Sequence, residues 1–392
     1  AIVFIGRSSG EDRENILKKG SFYLTDDEQK MLLKVTSSFK NTVVVLNIGS
    51  VMDFSWIEQF GDKISAVLIA WQGGLESGNA LADLLCGDVT PSGKLTDTVA
   101  KSYEDYPSSK NFGKVKYNNY EEDIFVGYRY FSSFAEEKVL YPFGFGLSYA
   151  AFDINPTAVE VGKDTTEITV KIKNISEKYS GKEVVQVYYS IIGGDLAKPE
   201  RQLVGFAKTK LLGPQEEQEI KISYPNSFYA SYDDSGVTGF KSAWIQEGGE
   251  YKIYIGSDVK TANCYSSFEA KTKVFEQLKE VSAPVKKFER LAGKNNKQAV
   301  PLSSTNLKDI IKSKLPADIP QTGDRGIKLA DVKEGRASME EFVAQLSLNE
   351  LEAISRGDYN MDSSLGAKGN AGAFGGVLES LRQKGVPPVI TT

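Results

Sequence analysis

Apolar residues follow two different rhythms along this chain. Through the first hundred residues they come as short unbroken runs at 1–6, 42–48 and 64–70. Runs of that length, bounded by polar segments, read as strands of a parallel sheet covered by helices on both faces. The segments between them carry helical patterns. One spans 26–39, with Thr25 as N-cap and Glu28 at the capping-box position. A short one surrounds Trp56 at 53–60, and a third spans 74–86 and ends at Gly87. From 151 to about 262 the rhythm becomes a strict alternation, clearest at 166–173, 183–189, 219–223 and 251–255, with Gly-, Pro- and Asp-rich turns between. About seven short strands in that space predict a β-sandwich of immunoglobulin or fibronectin III type. Residues 265–337 are polar, Lys-rich and weakly periodic, and read as a linker with one short helix at 306–314. From Ser338, which forms a capping box with Glu341, helical periodicity returns through Ile354. A Gly-rich run at 366–376, a helix near 376–384 and a strand at 387–392 then predict the opening of a further α/β domain.

The expected architecture is therefore multidomain: an α/β domain over 1–150, an all-β sandwich over 151–264, a linker over 265–337 and the start of another domain over 338–392. The runs at both ends read as strands cut short, because native termini are usually polar and loose. The chain is accordingly expected to be an internal piece of a longer polypeptide. No basic leader precedes the run at 1–6, so a cytoplasmic location is expected, with the true N-terminus lying further upstream.

Composition narrows the chemistry. The net charge of −5 argues against nucleic acid or an anionic membrane as partner, since both reward clustered Lys and Arg. No stretch of about 18 apolar residues is present. Cys86 and Cys264 are the only cysteines and make no disulfide framework. Histidine is absent from all 392 residues, which removes imidazole-based triads and metal sites from this chain. Acid/base work must fall to carboxylates, Lys or Tyr. Neither metal-ligand spacing nor a cofactor motif is found: the segment 87–95 resembles a phosphate loop, but its spacing is wrong and Leu95 stands where a hydroxyl should be.

In the predicted sheet, functional loops follow the carboxyl ends of strands. The loop 7–23 has that location and carries Arg7-Ser-Ser-Gly-Glu-Asp-Arg13. Gly10 would let the backbone present the Glu11 carboxylate openly. A neighbouring acid would raise its pKa, and Arg7 or Arg13 would lower it. Spacing alone favours a solvated, salt-bridged turn. The aromatic-rich segment 100–150 also has two readings, a domain seam or a platform on which sugar rings stack. The turns of the sandwich at 195–199 and 231–236 belong either to a structural brace or to a surface reaching a partner or a site mouth.

Several longer motifs select among these readings. The segment Ile2-Val-Phe-Ile-Gly-Arg-Ser-Ser-Gly-Glu-Asp-Arg-Glu14 resembles the strand and loop that carry the acid/base glutamate of family 3 glycoside hydrolases. Trp71-Gln-Gly-Gly-Leu-Glu-Ser-Gly-Asn79, Pro91-Ser-Gly-Lys-Leu95, Tyr120-Glu-Glu-Asp-Ile-Phe-Val-Gly-Tyr-Arg-Tyr130 and Tyr141-Pro-Phe-Gly-Phe-Gly-Leu-Ser-Tyr149 extend the likeness over most of 1–150. Gln72 and Thr96 stand where that family often has proline. Residues 151–262 are similar to its fibronectin III-like domain. Residues 338–392, with Ser347-Leu-Asn-Glu-Leu351 and Gly385-Val-Pro-Pro-Val-Ile-Thr-Thr392, are similar to the start of its (β/α) barrel. This order, sandwich before barrel, resembles the inverted subgroup.

The resemblance implies an α/β sandwich incomplete at its start, a β-glucosidase activity acting by a retaining mechanism without cofactor or metal, and Glu11 as general acid/base. It implies a nucleophilic aspartate in the barrel beyond Thr392, so that this piece alone would be inactive. It assigns no substrate-binding residue here. The implied partners are a β-glucoside or oligosaccharide and the barrel portion, with a homo-oligomer left open. A β-xyloside or α-arabinoside specificity is the enzymatic alternative, and a non-catalytic carbohydrate-binding or adhesion module is the rival from another class.

Overall fold

The three apolar runs form parallel strands β1 (Ile2–Arg7), β2 (Val43–Ile48) and β3 (Ala66–Ile69), in sheet order β1-β2-β3. Helices α1 (Asp26–Ser38) and α2 (Ser55–Phe60) connect them, and α3 (Ser77–Cys86) follows. The computed structural model describes residues 1–8, 16–114 and 116–391, in two compact units, Ala1–Thr305 and Asn306–Thr392. Register pairs Val3 with Val44 and Val44 with Val67, so alternate residues of the three strands share one face. On that face Val3, Ile5, Val44, Leu46 and Ile48 bury against Leu32 of α1 and Trp56 and Phe60 of α2. Each fully buried side chain of this size is worth about 1.5–3 kcal/mol, which makes this layer the core of the domain. The capping box of α1 is present, and α3 stops at Gly87 in the left-handed region, φ 82°. On the opposite face Ile2 and Phe4 of β1 remain 51% and 57% exposed, while Val45 of the central strand β2 is fully buried.

The family motifs prove to be fasteners between this layer and the β-sandwich. Strands β4 (Val99–Ala100) and β5 (Val139–Tyr141) pair antiparallel on either side of α4 (Tyr128–Phe134). The Leu95 N–H donates to the Phe145 carbonyl and the Gly144 N–H donates to the Leu95 carbonyl, each at 2.8 Å. Gly146 lies so close to the Gly93 carbonyl that a Cβ there would overlap it. Lys94 then pairs with Glu183 of the sandwich at 2.8 Å, with both side chains mostly buried. Tyr128, beside Phe143 and Tyr188, accepts the Leu203 N–H at 3.0 Å. These Tyr128 and Phe143 rings are seam packing. Phe112, Tyr117 and Tyr120 of the same aromatic segment stay exposed.

The sandwich is antiparallel throughout. Strands β6 (Phe152–Val161), β7 (Thr165–Asn174), β8 (Val184–Ile192), β9 (Gln202–Lys208) and β10 (Glu217–Pro225) come first. After β11 (Ser231–Asp233) and β12 (Ala243–Gln246) come β13 (Gly249–Gly256), β14 (Asn263–Ala270) and β15 (Lys273–Gln277). A three-stranded sheet β10-β7-β6 faces a four-stranded sheet β14-β13-β8-β9, a two-sheet sandwich as the alternation predicts. Ile168, Val170 and Ile172 from the first meet Val185, Val187, Tyr251 and Ile253 from the second. A small third sheet, β11-β12-β15, and a hairpin of β16 (Glu289–Gly293) and β17 (Asn296–Ala299) complete the unit. The segment 265–337 is therefore not the linker expected of it. Most of β14, all of β15 and the hairpin lie in it, and the first unit runs to Thr305. Short strands on small sheets carry few buried positions, so their period is weak in the sequence.

In the second unit, α5 (Leu307–Lys314) falls where a helix was expected, and α6 (Leu329–Lys333) was not foreseen. Helices α7 (Met339–Ala344) and α8 (Leu348–Arg356) open on Ser338/Glu341 and Ser347/Glu350 capping boxes. Phe342, Leu346, Ala353 and Leu381 form the core, the last from α9 (Glu379–Gln383). The Gly-rich run yields β18 (Gly372–Gly375), antiparallel to β19 (Pro388–Thr391). Lys384 bridges Asp324 at 2.8 Å and Glu350 at 3.0 Å.

Candidate active site

Glu11 lies outside the described residues, so the site is approached through the ends of its loop. That loop leaves the sheet at the carboxyl end of β1, beside the segments 49–54 and 70–73 that follow β2 and β3. The sheet thus delivers the loop to the edge where α/β proteins place their chemistry.

Arg7, the last residue of β1, fastens it. Its Nη1 and Nη2 donate to the two carboxylate oxygens of Glu28 at 2.7 and 2.8 Å. Its remaining donors reach the carbonyls of Gly6 at 2.7 Å, Ser21 at 3.0 Å and Tyr23 at 3.3 Å. A guanidinium has five N–H donors, and all five are engaged. Glu28 in turn accepts the Thr25 N–H at 2.8 Å as the third residue of α1. One carboxylate therefore caps a helix and ties both ends of residues 8–24 together. Burial pushes the Glu28 carboxyl up, but hydrogen bonds from Arg7 and Thr25 outweigh it and hold the group below its ordinary value.

Two further features mark this edge. Ser50 carries a buried Oγ with no hydrogen-bond partner among the described residues. Trp71, just past β3, sits in the left-handed region at φ 52°, an uncommon and costly conformation for a bulky residue. Tyr23 lies at the base of the loop, and its hydroxyl is pushed up by burial and by the nearby Glu104 and Asp53 carboxylates. Sequence patterns did not reveal Arg7–Glu28 as a pair, because the contact spans 21 positions. The capping-box glutamate was legible, but its second role was not. Among the described residues, no group of three or more His, Cys, Asp or Glu could hold a metal ion, and no helix is long and apolar enough to cross a membrane.

The α/β layer and the β-sandwich fastened to it both have counterparts among known protein domains. Residues 1–149 match the glycosyl hydrolase family 3 C-terminal domain, and residues 183–259 match the fibronectin type III-like domain. The first 149 residues are therefore a glycosyl hydrolase family 3 C-terminal domain, followed by a fibronectin type III-like domain. It is 44% identical over 391 residues to a beta-glucosidase of Ruminococcus albus, an alignment covering 99% of this chain and 41% of that one. The solved structure of a beta-glucosidase from Paenibacillus barengoltzii superposes with a TM-score of 0.92 at 45% identity, over 99% of this chain and 44% of that one. Beta-glucosidase 3B from Thermotoga neapolitana, solved in complex with glucose, matches with a TM-score of 0.64 at 35% identity, over 70% of this chain and 38% of that one. The chain thus spans less than half the length of each of these relatives.

Proposed function

We propose that this chain is part of a β-glucosidase that removes terminal non-reducing β-D-glucose with retention of configuration, with Glu11 as general acid/base. The observation that carries this reading is the Ser-Gly-Glu loop at the carboxyl end of β1, within a region matching the family domain and similar to enzymes named beta-glucosidases. The glucose complex of the Thermotoga relative favours glucosides over pentosides. The nucleophile is an aspartate outside these residues, in a (β/α) barrel that residues 338–392 would open.

In a double displacement the two carboxyl groups stand ~5–5.5 Å apart. Protonated Glu11 donates to the glycosidic oxygen as the aspartate attacks the anomeric carbon. The resulting carboxylate then takes a proton from the water that releases the sugar. A positioned acid/base contributes roughly 10²–10⁴ in rate. Glu11→Ala in the full-length enzyme is expected to slow substrates with poor leaving groups most, and azide should partly rescue activated aryl glucosides. Near-normal hydrolysis of an unactivated disaccharide by that variant would sink the assignment. A nitrophenyl glycoside panel on the same protein separates glucoside from xyloside and arabinoside specificity.

A further inference from the structure

A cavity of about 1320 Å³ in the first unit lies over the third sheet of the sandwich, and none of residues 1–24 lines it. It exceeds the ~300–1,000 Å³ that holds one small ligand, so it suits an extended one. Its floor is the outward face of β11 and β12. Tyr232 and Trp244 are cross-strand partners there, with ring centroids 5.5 Å apart, and they remain 37% and 42% exposed. Phe228 adds a third aromatic ring, 51% exposed. Exposed rings grouped in a concave surface are uncommon without a ligand to cover them.

The walls are held open by contacts that do not use those rings. Glu247 accepts the N–H groups of Asp195 at 2.6 Å and Leu196 at 3.3 Å, and forms an ion pair with Lys198; both side chains are almost wholly buried. This staples the 193–199 loop that forms one wall. The opposite wall is the β16–β17 hairpin. Arg290 pairs there with Asp234 at 2.6 and 2.8 Å and with Asp123 at 2.8 Å, while the Leu291 N–H reaches the Glu121 carbonyl at 2.7 Å. Within the lining, Arg129 keeps a buried Nε with no partner among the described residues. A groove whose walls are satisfied internally, while its aromatic rings stay uncovered, is organised ahead of its ligand.

Its chemistry selects the ligand. Asp123, Asp195, Asp234 and Glu276 face Arg129 and Arg290, an excess of negative charge that disfavours phosphate, uronate or nucleic acid. Ring faces beside planar polar groups match a neutral polyhydroxyl chain, whose C–H faces stack while its hydroxyls bond at the rim. We propose that this groove is a non-catalytic binding site for a neutral oligosaccharide chain, separate from the loop of Glu11. It does not depend on the hydrolytic reading and can succeed or fail independently of it.

The test is calorimetric titration of the 392-residue chain with cellotetraose and with laminaritetraose, with tryptophan fluorescence alongside. Saturable binding is expected with at least one of them. Trp244→Ala should weaken it about tenfold or more, and Phe228→Ala severalfold. Glu11→Gln should bind like wild type, which separates this site from catalysis. Thermal denaturation checks that each variant is folded; should Trp244→Ala not fold, Tyr232→Ala and Phe228→Ala decide. Lack of saturable binding up to ~10 mM, a roughly millimolar limit on useful affinity, overturns the proposal. So does wild-type affinity in the folded groove variants, or concentration-dependent dimerisation of the chain that those variants abolish, which would make the groove a protein interface.

Discussion

Removing Glu28 should loosen the loop that carries Glu11 from a distance, and the size of the effect can be worked from the contacts. The Arg7 side chain is 7% exposed and that of Glu28 19%. Glu28→Ala deletes both hydrogen bonds from Arg7 and the bond from the Thr25 N–H, and leaves a nearly buried guanidinium without its counter-charge. Breaking a buried pair by removing one partner costs ~3–5 kcal/mol, and loss of a helix cap about 1. Water can reach the Glu28 side of the clamp, so about 3 kcal/mol is expected in all. At ~2 °C per kcal/mol, the low end for a large domain, the melting temperature should fall by about 6 °C. Scanning calorimetry of the chain measures this directly. Arg7→Met should cost a similar amount, and the double variant less than the two singles together, with a coupling of ~1–3 kcal/mol. In full-length enzyme both singles should lower kcat more than they raise KM. The pH dependence follows from the sign of the shift. The folded Glu28 carboxyl lies below its ordinary value, so the clamp is fully stabilising above about pH 4.3 and weakens as pH falls through the folded value. A shift under ~1 °C for Glu28→Ala, or strict additivity in the double variant, would refute this reasoning.

Two further outcomes test other parts of the structure. Gly146→Ala should cost about 2–3 kcal/mol, because its Cβ would overlap the Gly93 carbonyl and spread the two motifs apart; denaturant titration checks it, and a change within ~0.5 kcal/mol would show that the loop yields freely. In the second unit, burial raises the Glu350 carboxyl, but hydrogen bonds from Ser347, Lys384 and Ser380 hold it at about 2. Its contribution should therefore be complete above about pH 4.3 and lost toward pH 2, and Glu350→Gln should flatten the acid limb of a stability–pH profile.

Local signals in the sequence settle a good part of this protein. The capping boxes at Thr25, Ser338 and Ser347 and the stop at Gly87 each involve residues three or four apart. Apolar runs against alternation separate the parallel layer from the sandwich because side-chain period reports how many faces of a strand are buried. The motif around Glu11 was legible as a pattern and supports the catalytic reading by likeness, whereas its surroundings were not. Folding alone decides whether Arg7 meets Glu28 rather than its sequence neighbours, and whether β14 and β15 join sheets in a stretch that reads as linker. It also decides that three aromatic rings gather over the third sheet. Those outcomes rest on partners tens of residues apart. Their pairing energy exists only once the core is packed, and no periodicity along the chain encodes it.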